Sequence, residues 1–95
     1  MQKIDKAEIN KLFQAVLSLE NQDECSAFFY DICTFQELEA IAQRFEVACK
    51  LAEGKSYIDI NKETGASTAT ICRVSKALNY GEGGYTAAIR KLKGE

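Results

Sequence analysis

Proline and histidine are both missing from the 95 residues. Without proline, the strongest breaker of helix interiors is gone, and an all-helical protein suits that absence. Without histidine, the common zinc-ligand sets are gone, and so is the most frequent general acid–base group. Uninterrupted apolar runs extend over only a few residues, as in Ala15 to Leu17, far short of the ~20 that cross a bilayer. No membrane helix is expected. The opening stretch MQKIDKAEINKLF mixes acids and amides with its apolar positions and has neither the apolar centre nor the small-residue cleavage site of a secretory signal. A cytoplasmic location is expected. Cys25, Cys33, Cys49 and Cys72 are 8, 16 and 23 residues apart, so no C-x-x-C pair exists and no metal site is expected. Reduced, mostly buried thiols that pack as small apolar groups fit this pattern.

What the chain does contain is 46% apolar and 27% charged residues, ordinary for a soluble globular domain. One domain of this size buries a modest share of its surface, so oligomerisation is an expected source of stability. The net charge of −2 is unevenly spread. Residues 1–53 carry five basic and ten acidic side chains, whereas residues 54–95 carry seven basic and four acidic ones. An acidic half adjoins a basic half, which hints at an anionic partner for the second.

Apolar positions repeat at helical spacing along most of the chain. In Asp5 to Glu20 they fall at Ile9, Leu12, Phe13, Val16, Leu17 and Leu19. Asp23 then offers a cap for a short helix, Glu24 to Cys33, with Phe28, Phe29 and Ile32 on one face. TFQE, Thr34 to Glu37, has the form of a capping box, opening a third helix with apolar residues from Leu38 to Ala52 and Gly54 as its stop. Ser56 opens a fourth, whose apolar side is Ile58 and Ile60, ended by Gly65. Ser67 opens a fifth, lined by Ala69, Ile71, Cys72, Val74, Ala77 and Leu78 until NYGEGG, and a sixth runs from about Tyr85 to Lys93. Alternating β-branched runs are missing. The class is all-α, with about six helices.

Helices four and five, joined by Gly65-Ala66-Ser67, have the spacing of a helix-turn-helix. The start of the second helix of such a pair enters the DNA major groove, where side chains reach base edges. Ser67, Thr68, Ala69 and Thr70 are small enough to approach the bases, can exchange hydrogen bonds and can touch a thymine methyl. Arg73 can reach a guanine or a phosphate, and Lys62, Lys76 and Lys55 are candidates for neutralising the backbone. DINKETGASTATICRV is similar to the pattern E-I-A-x-x-x-G-V-S-x-x-T-V-S-R-V of bacterial helix-turn-helix regulators, with Asp59, Ile60, Gly65, Ser67, Thr70, Ile71 and Arg73 in place. Asn61 stands where a small alanine is usual. It is expected either to point outward toward a phosphate or to open the helix pair slightly.

Over about Thr34 to Leu78 the chain resembles the Trp-repressor superfamily, and within it the YerC/YecD branch. The resemblance rests on ELEAIAQRFEVACKLAEGKSY followed by TGASTATICRVSKAL, with Gly65, Ala66, Ala69, Thr70, Ile71 and Arg73 matching the family's G-A-x-x-A-T-I-x-R core. It implies one Trp-repressor-like domain: residues 1–53 for dimerisation and core, 56–79 for the helix-turn-helix, 85–93 for the C-terminal helix. It also implies an intertwined homodimer with two protruding reading heads, whose shared core takes Phe13, Phe28, Phe29, Phe35 and Phe45. A monomeric core for the same aromatics is the alternative. Arg44 and Arg73 match the two arginines that bracket tryptophan in Trp repressor, which makes them candidate effector contacts. Where that repressor has glycine, this chain has Val74, a branched side chain that fills space. Tryptophan is therefore not the expected ligand; another small amino acid, or no cofactor at all, is. Arg44 then reads as an ion-pair partner of Glu37 or another acid.

The resulting expectation is a sequence-specific, double-stranded-DNA-binding transcriptional regulator, acting as a repressor. The alternative is a protein-interaction module that uses the helix pair without DNA. An enzyme is not expected, because no nucleophile sits beside an evident base and the carboxylates lie at helix starts and exposed faces. GEGG, Gly81 to Gly84, lacks the preceding strand and following G-K-S/T of a phosphate loop and reads as a linker.

Overall fold

The computed structural model describes residues 5–95. Six helices occur among them: α1 (Lys6–Leu17), α2 (Gln22–Ile32), α3 (Phe35–Ala52), α4 (Tyr57–Thr64), α5 (Thr68–Tyr80) and α6 (Gly84–Leu92). No described residue is in a strand. The chain divides into two compact units, one up to Leu38 and one from Glu39 to Glu95. Among the described residues, no helix is long and apolar enough to cross a membrane.

In the first unit the helix ends are set by short polar side chains. Asp5 accepts the Ala7 amide at 2.9 Å to start α1, and Ser18 closes it by donating to the Ala15 carbonyl at 2.6 Å, so α1 stops short of the expected Glu20. The cap of α2 is Asn21, not Asp23. Its Oδ1 accepts the Glu24 amide at 2.9 Å, and Glu24 in turn accepts the Glu20 amide at 3.0 Å. Asp23 and Glu24 occupy the first turn, where negative charge meets the positive end of the helix dipole. The capping box ahead of α3 forms as expected, with Thr34 N donating to Glu37 Oε1 at 2.8 Å and Glu37 N donating to Thr34 Oγ1 at 3.1 Å.

These two helices have no fully buried residue. Phe28 and Phe29 meet edge to face, with centroids 5.5 Å apart, yet both are only half-buried. Leu17 is 83% exposed, Phe13 57% and Phe35 67%. None of the five phenylalanines is fully buried in the single chain, and Phe45 alone of them packs against the buried cluster of the second unit.

The second unit has a compact apolar centre. Val47 and Ala48 of α3, Ile60 of α4, Ala66 of the turn, Ile71 and Val74 of α5 and Ile89 of α6 are all buried together. Phe45, Cys49, Leu51 and Tyr85 pack around them, the Phe45 and Tyr85 rings stacking at 6.5 Å. Each helix contributes the residues at one angular position and leaves its neighbours outside. Thus Ile60 is fully buried, whereas Ile58, two positions earlier and on the other side of α4, is 69% exposed. The expected apolar lining of α5 narrows for the same reason: Ile71 and Val74 are buried and Leu78 half-buried, while Ala69, Cys72 and Ala77 face outward. The expectation of buried thiols also fails, because Cys25 and Cys72 are exposed and Cys33 and Cys49 half-buried, all four unpaired. At Cys49 the partial burial, helped by Glu46 and Glu53, pushes the thiol above its ordinary value.

Candidate nucleic-acid interface

The helix pair is built from the turn outward. Gly65 takes φ +74°, a left-handed conformation that side chains with a Cβ resist, and its amide donates to the Asn61 carbonyl at 2.9 Å to finish α4. Ala66 turns inward and is buried. Ser67 is extended, and its Oγ accepts the Thr70 amide at 3.1 Å. The same hydroxyl lies 3.1 Å from Thr70 Oγ1. α5 packs against both α4 and α6.

With Ile71 and Val74 fixed in the core, the opposite side of α5 is determined. Thr68, Ala69, Cys72, Arg73 and Lys76 are exposed and stand three and four residues apart, a spacing that places them on one helix face. Ser67 is exposed at the helix start and Thr70 is half-buried beside the turn. The expected reading residues therefore come together at one surface, with Ser67 and Thr70 partly committed to the cap. Cys72, which by type belongs with the apolar lining, lies on this face as well; its position three after Ala69 and four after Thr68 is the sequence signal for that placement.

The lysines divide into two kinds. Lys62 and Lys76 are exposed and, like Arg73, form no ion pair among the described residues. Lys55, expected to neutralise a phosphate, instead grips Glu63, with Nζ at 2.9 Å and 3.2 Å from the two carboxylate oxygens. Lys50 of α3 reaches the same carboxylate at 2.7 Å and Glu46 at 3.7 Å. Lys50 first, and Lys55 second, hold Glu63 below the ordinary carboxylate value, and the hydrogen bond to Glu63 raises Lys50 in return. These contacts tie α4 to the end of α3.

Asn61 does neither of the things expected of it. Its Nδ2 donates to the Ala66 carbonyl at 2.7 Å, so the amide folds back over the turn instead of pointing out or wedging the helices apart. No ion pair between Glu37 and Arg44 occurs among the described residues; the Glu37 carboxylate accepts the Thr34 amide, the main cause that lowers its pKa. Arg44 is half-buried on α3, Arg73 is exposed on α5, and Val74 is 1% exposed among Ile60, Ile71 and Ile89.

The profile of the Trp repressor protein family matches residues 7–93. The chain belongs to the Trp repressor family. Within it, the chain is 48% identical over 91 residues to the uncharacterized protein YerC of Bacillus subtilis (strain 168), covering 96% of this chain and 88% of that protein. Among solved structures it is similar to a TrpR-like protein from Eubacterium eligens ATCC 27750, with 49% identity, a TM-score of 0.89 and coverage of 93% of this chain and 91% of the other. A Trp-repressor candidate from Staphylococcus aureus gives 42% identity, a TM-score of 0.89 and coverage of 96% and 91%. The family match extends over α1 and α2, beyond the Thr34 to Leu78 region where the resemblance is visible by motif. The all-α, Trp-repressor-like fold and the YerC branch are thereby shown.

Proposed function

We propose that this protein is a DNA-binding transcriptional regulator, a repressor, that reads the major groove of double-stranded DNA with α5. The observation that carries the reading is the exposed face of Thr68, Ala69, Cys72, Arg73 and Lys76 on a helix whose other side is sealed into the core by Ile71 and Val74. Such a face is slim at its start and cationic further along, which suits base contact near the helix N-terminus and phosphate contact beyond it. Ser67, Thr68, Ala69, Thr70 and Arg73 are the proposed reading residues, and Lys62 and Lys76 the proposed phosphate contacts.

The functional unit we propose is a homodimer. Support comes from the apolar side chains that α1, α2 and the start of α3 leave uncovered in a single chain, Leu17, Phe13 and Phe35 among them, a pattern that marks an association surface. Two reading heads related by a two-fold axis address half-sites about one helical turn, ~34 Å, apart. Tryptophan is not proposed as the signal, because this chain carries Val74 at the position where Trp repressor has glycine and so departs from that ligand's site by the volume of a branched side chain. Arg44 and Arg73 remain the proposed contacts for any other small amino acid.

Selection of preferred sites from random duplex DNA, with and without a mixture of amino acids, tests this reading. A two-fold-symmetric motif is expected to emerge without added tryptophan. Recovery of no preferred sequence at moderate salt overturns it.

A further inference from the structure

We infer that Gln43, Asn61 and Thr64 are positioning residues: together they form a chain of hydrogen bonds from α3 through the end of α4 to Ala66 of the turn, which sets the angle at which the reading helix leaves the protein. This rests on the proposal that α5 reads DNA. The first link is Gln43 Nε2 of α3, which donates to the Thr64 carbonyl at 3.2 Å. Thr64 is the last residue of α4, so its carbonyl is one that no later turn of helix can satisfy. The Thr64 hydroxyl then works in both directions, donating to the Ile60 carbonyl at 2.7 Å and accepting the Ala66 amide at 3.1 Å. Asn61 Nδ2 closes the chain on the Ala66 carbonyl at 2.7 Å.

Both backbone groups of Ala66 are thus held by side chains of α4, and Ala66 is 1% exposed. Its orientation is fixed on three sides, by two hydrogen bonds and by the core. The next residue is Ser67, the cap that starts α5, so a rotation at Ala66 swings the whole reading helix. A rotation of about 10° there displaces the Lys76 end of the contact face by about 2 Å, because the nine residues from Thr68 to Lys76 rise ~1.5 Å each. All four links are only part-buried, where a hydrogen bond adds modestly to stability. The larger consequence of losing one falls on direction.

The test uses the full-length protein and compares Thr64→Val, Thr64→Ser and Asn61→Ala by two readouts. One is amide hydrogen exchange at Ala66, Ser67 and Thr70. The other is affinity for a selected duplex against a scrambled duplex of equal length. Thr64→Val and Asn61→Ala are expected to speed exchange at the turn and to lower affinity for the selected site about 3- to 10-fold, the span of one net hydrogen bond, with scrambled-duplex affinity unchanged. Thr64→Ser keeps the hydroxyl and is expected to restore both. Unchanged exchange at Ala66 in Thr64→Val overturns the inference, as does an equal loss on both duplexes or a failure of Thr64→Ser to restore. If the wild-type protein selects no site, the DNA reading fails, while exchange in the Val and Ser variants still decides whether the hydrogen-bond chain holds the turn.

Discussion

Ser67 Oγ accepts the Thr70 amide at 3.1 Å and lies 3.1 Å from the Thr70 hydroxyl, so one side chain both starts α5 and holds the Thr70 side chain. Replacing Ser67 by Ala removes the cap, at a cost of about 1 kcal/mol. Thermal unfolding should report this as a Tm lowered by roughly 4–8 °C. Ser67→Asp should keep the cap and recover the Tm, yet weaken DNA binding by adding negative charge at the groove.

Acid should loosen the junction of α3 and α4. Glu63 titrates below its ordinary value of 4.5 in the folded protein, so the unfolded chain takes up its proton first as pH falls. The stabilisation is therefore complete above 4.5 and is lost as pH drops through the lowered folded value. Glu37 acts in the same sense through Thr34. Lys50 is raised above 10.5, so its contribution is complete below that value and fades only in stronger alkali. Denaturant unfolding followed from neutral pH downward should show the Glu63→Gln variant losing less stability than wild type over the acid range.

DNA should shield Cys72. The thiol is exposed on α5 within the face formed by Ala69, Arg73 and Lys76. Maleimide labelling, resolved by mass spectrometry, should slow at Cys72 in step with saturation by a selected duplex, and Cys72→Ser should bind that duplex normally. Undiminished labelling at saturation would place the DNA elsewhere.

Salt should separate the lysines. A phosphate contact steepens the fall of log affinity with log salt by about 0.9. Lys62→Ala and Lys76→Ala should each lower the slope by about that amount, while Lys55→Ala should leave it unchanged, since Lys55 is held by Glu63.

Much of this architecture was legible because local chemistry decides it. Thr34 and Glu37, Gly54, Ser56, Gly65 and Ser67 perform at helix ends the tasks their types imply. The exposure of Thr68 and Ala69 at the start of α5 follows from the same local chemistry, as small residues follow a cap. What escaped were choices settled by geometry between elements. Asn21 and Asp23 are equally good caps by type, and only the path of the chain selects Asn21. The periodicity of α5 admitted Ala69, Cys72 and Ala77 to the apolar side, but packing against α4 and α6 leaves room only for the Ile71 and Val74 side. Lys55 and Asn61 looked like outward polar residues. Their partners, Glu63 and the Ala66 carbonyl, are brought within reach by the loop before α4 and the turn after it, respectively, and not by simple helical spacing.

The most direct measurement of the central claim is the affinity of Thr70→Ala and Arg73→Ala for a selected duplex and a scrambled one, followed by fluorescence anisotropy. Thr70→Ala is expected to narrow the gap between the two duplexes, because a base-reading hydroxyl carries preference. Arg73→Ala is expected to weaken binding to both. Wild-type affinity for both duplexes in both variants would contradict the assignment of α5 as the reading helix.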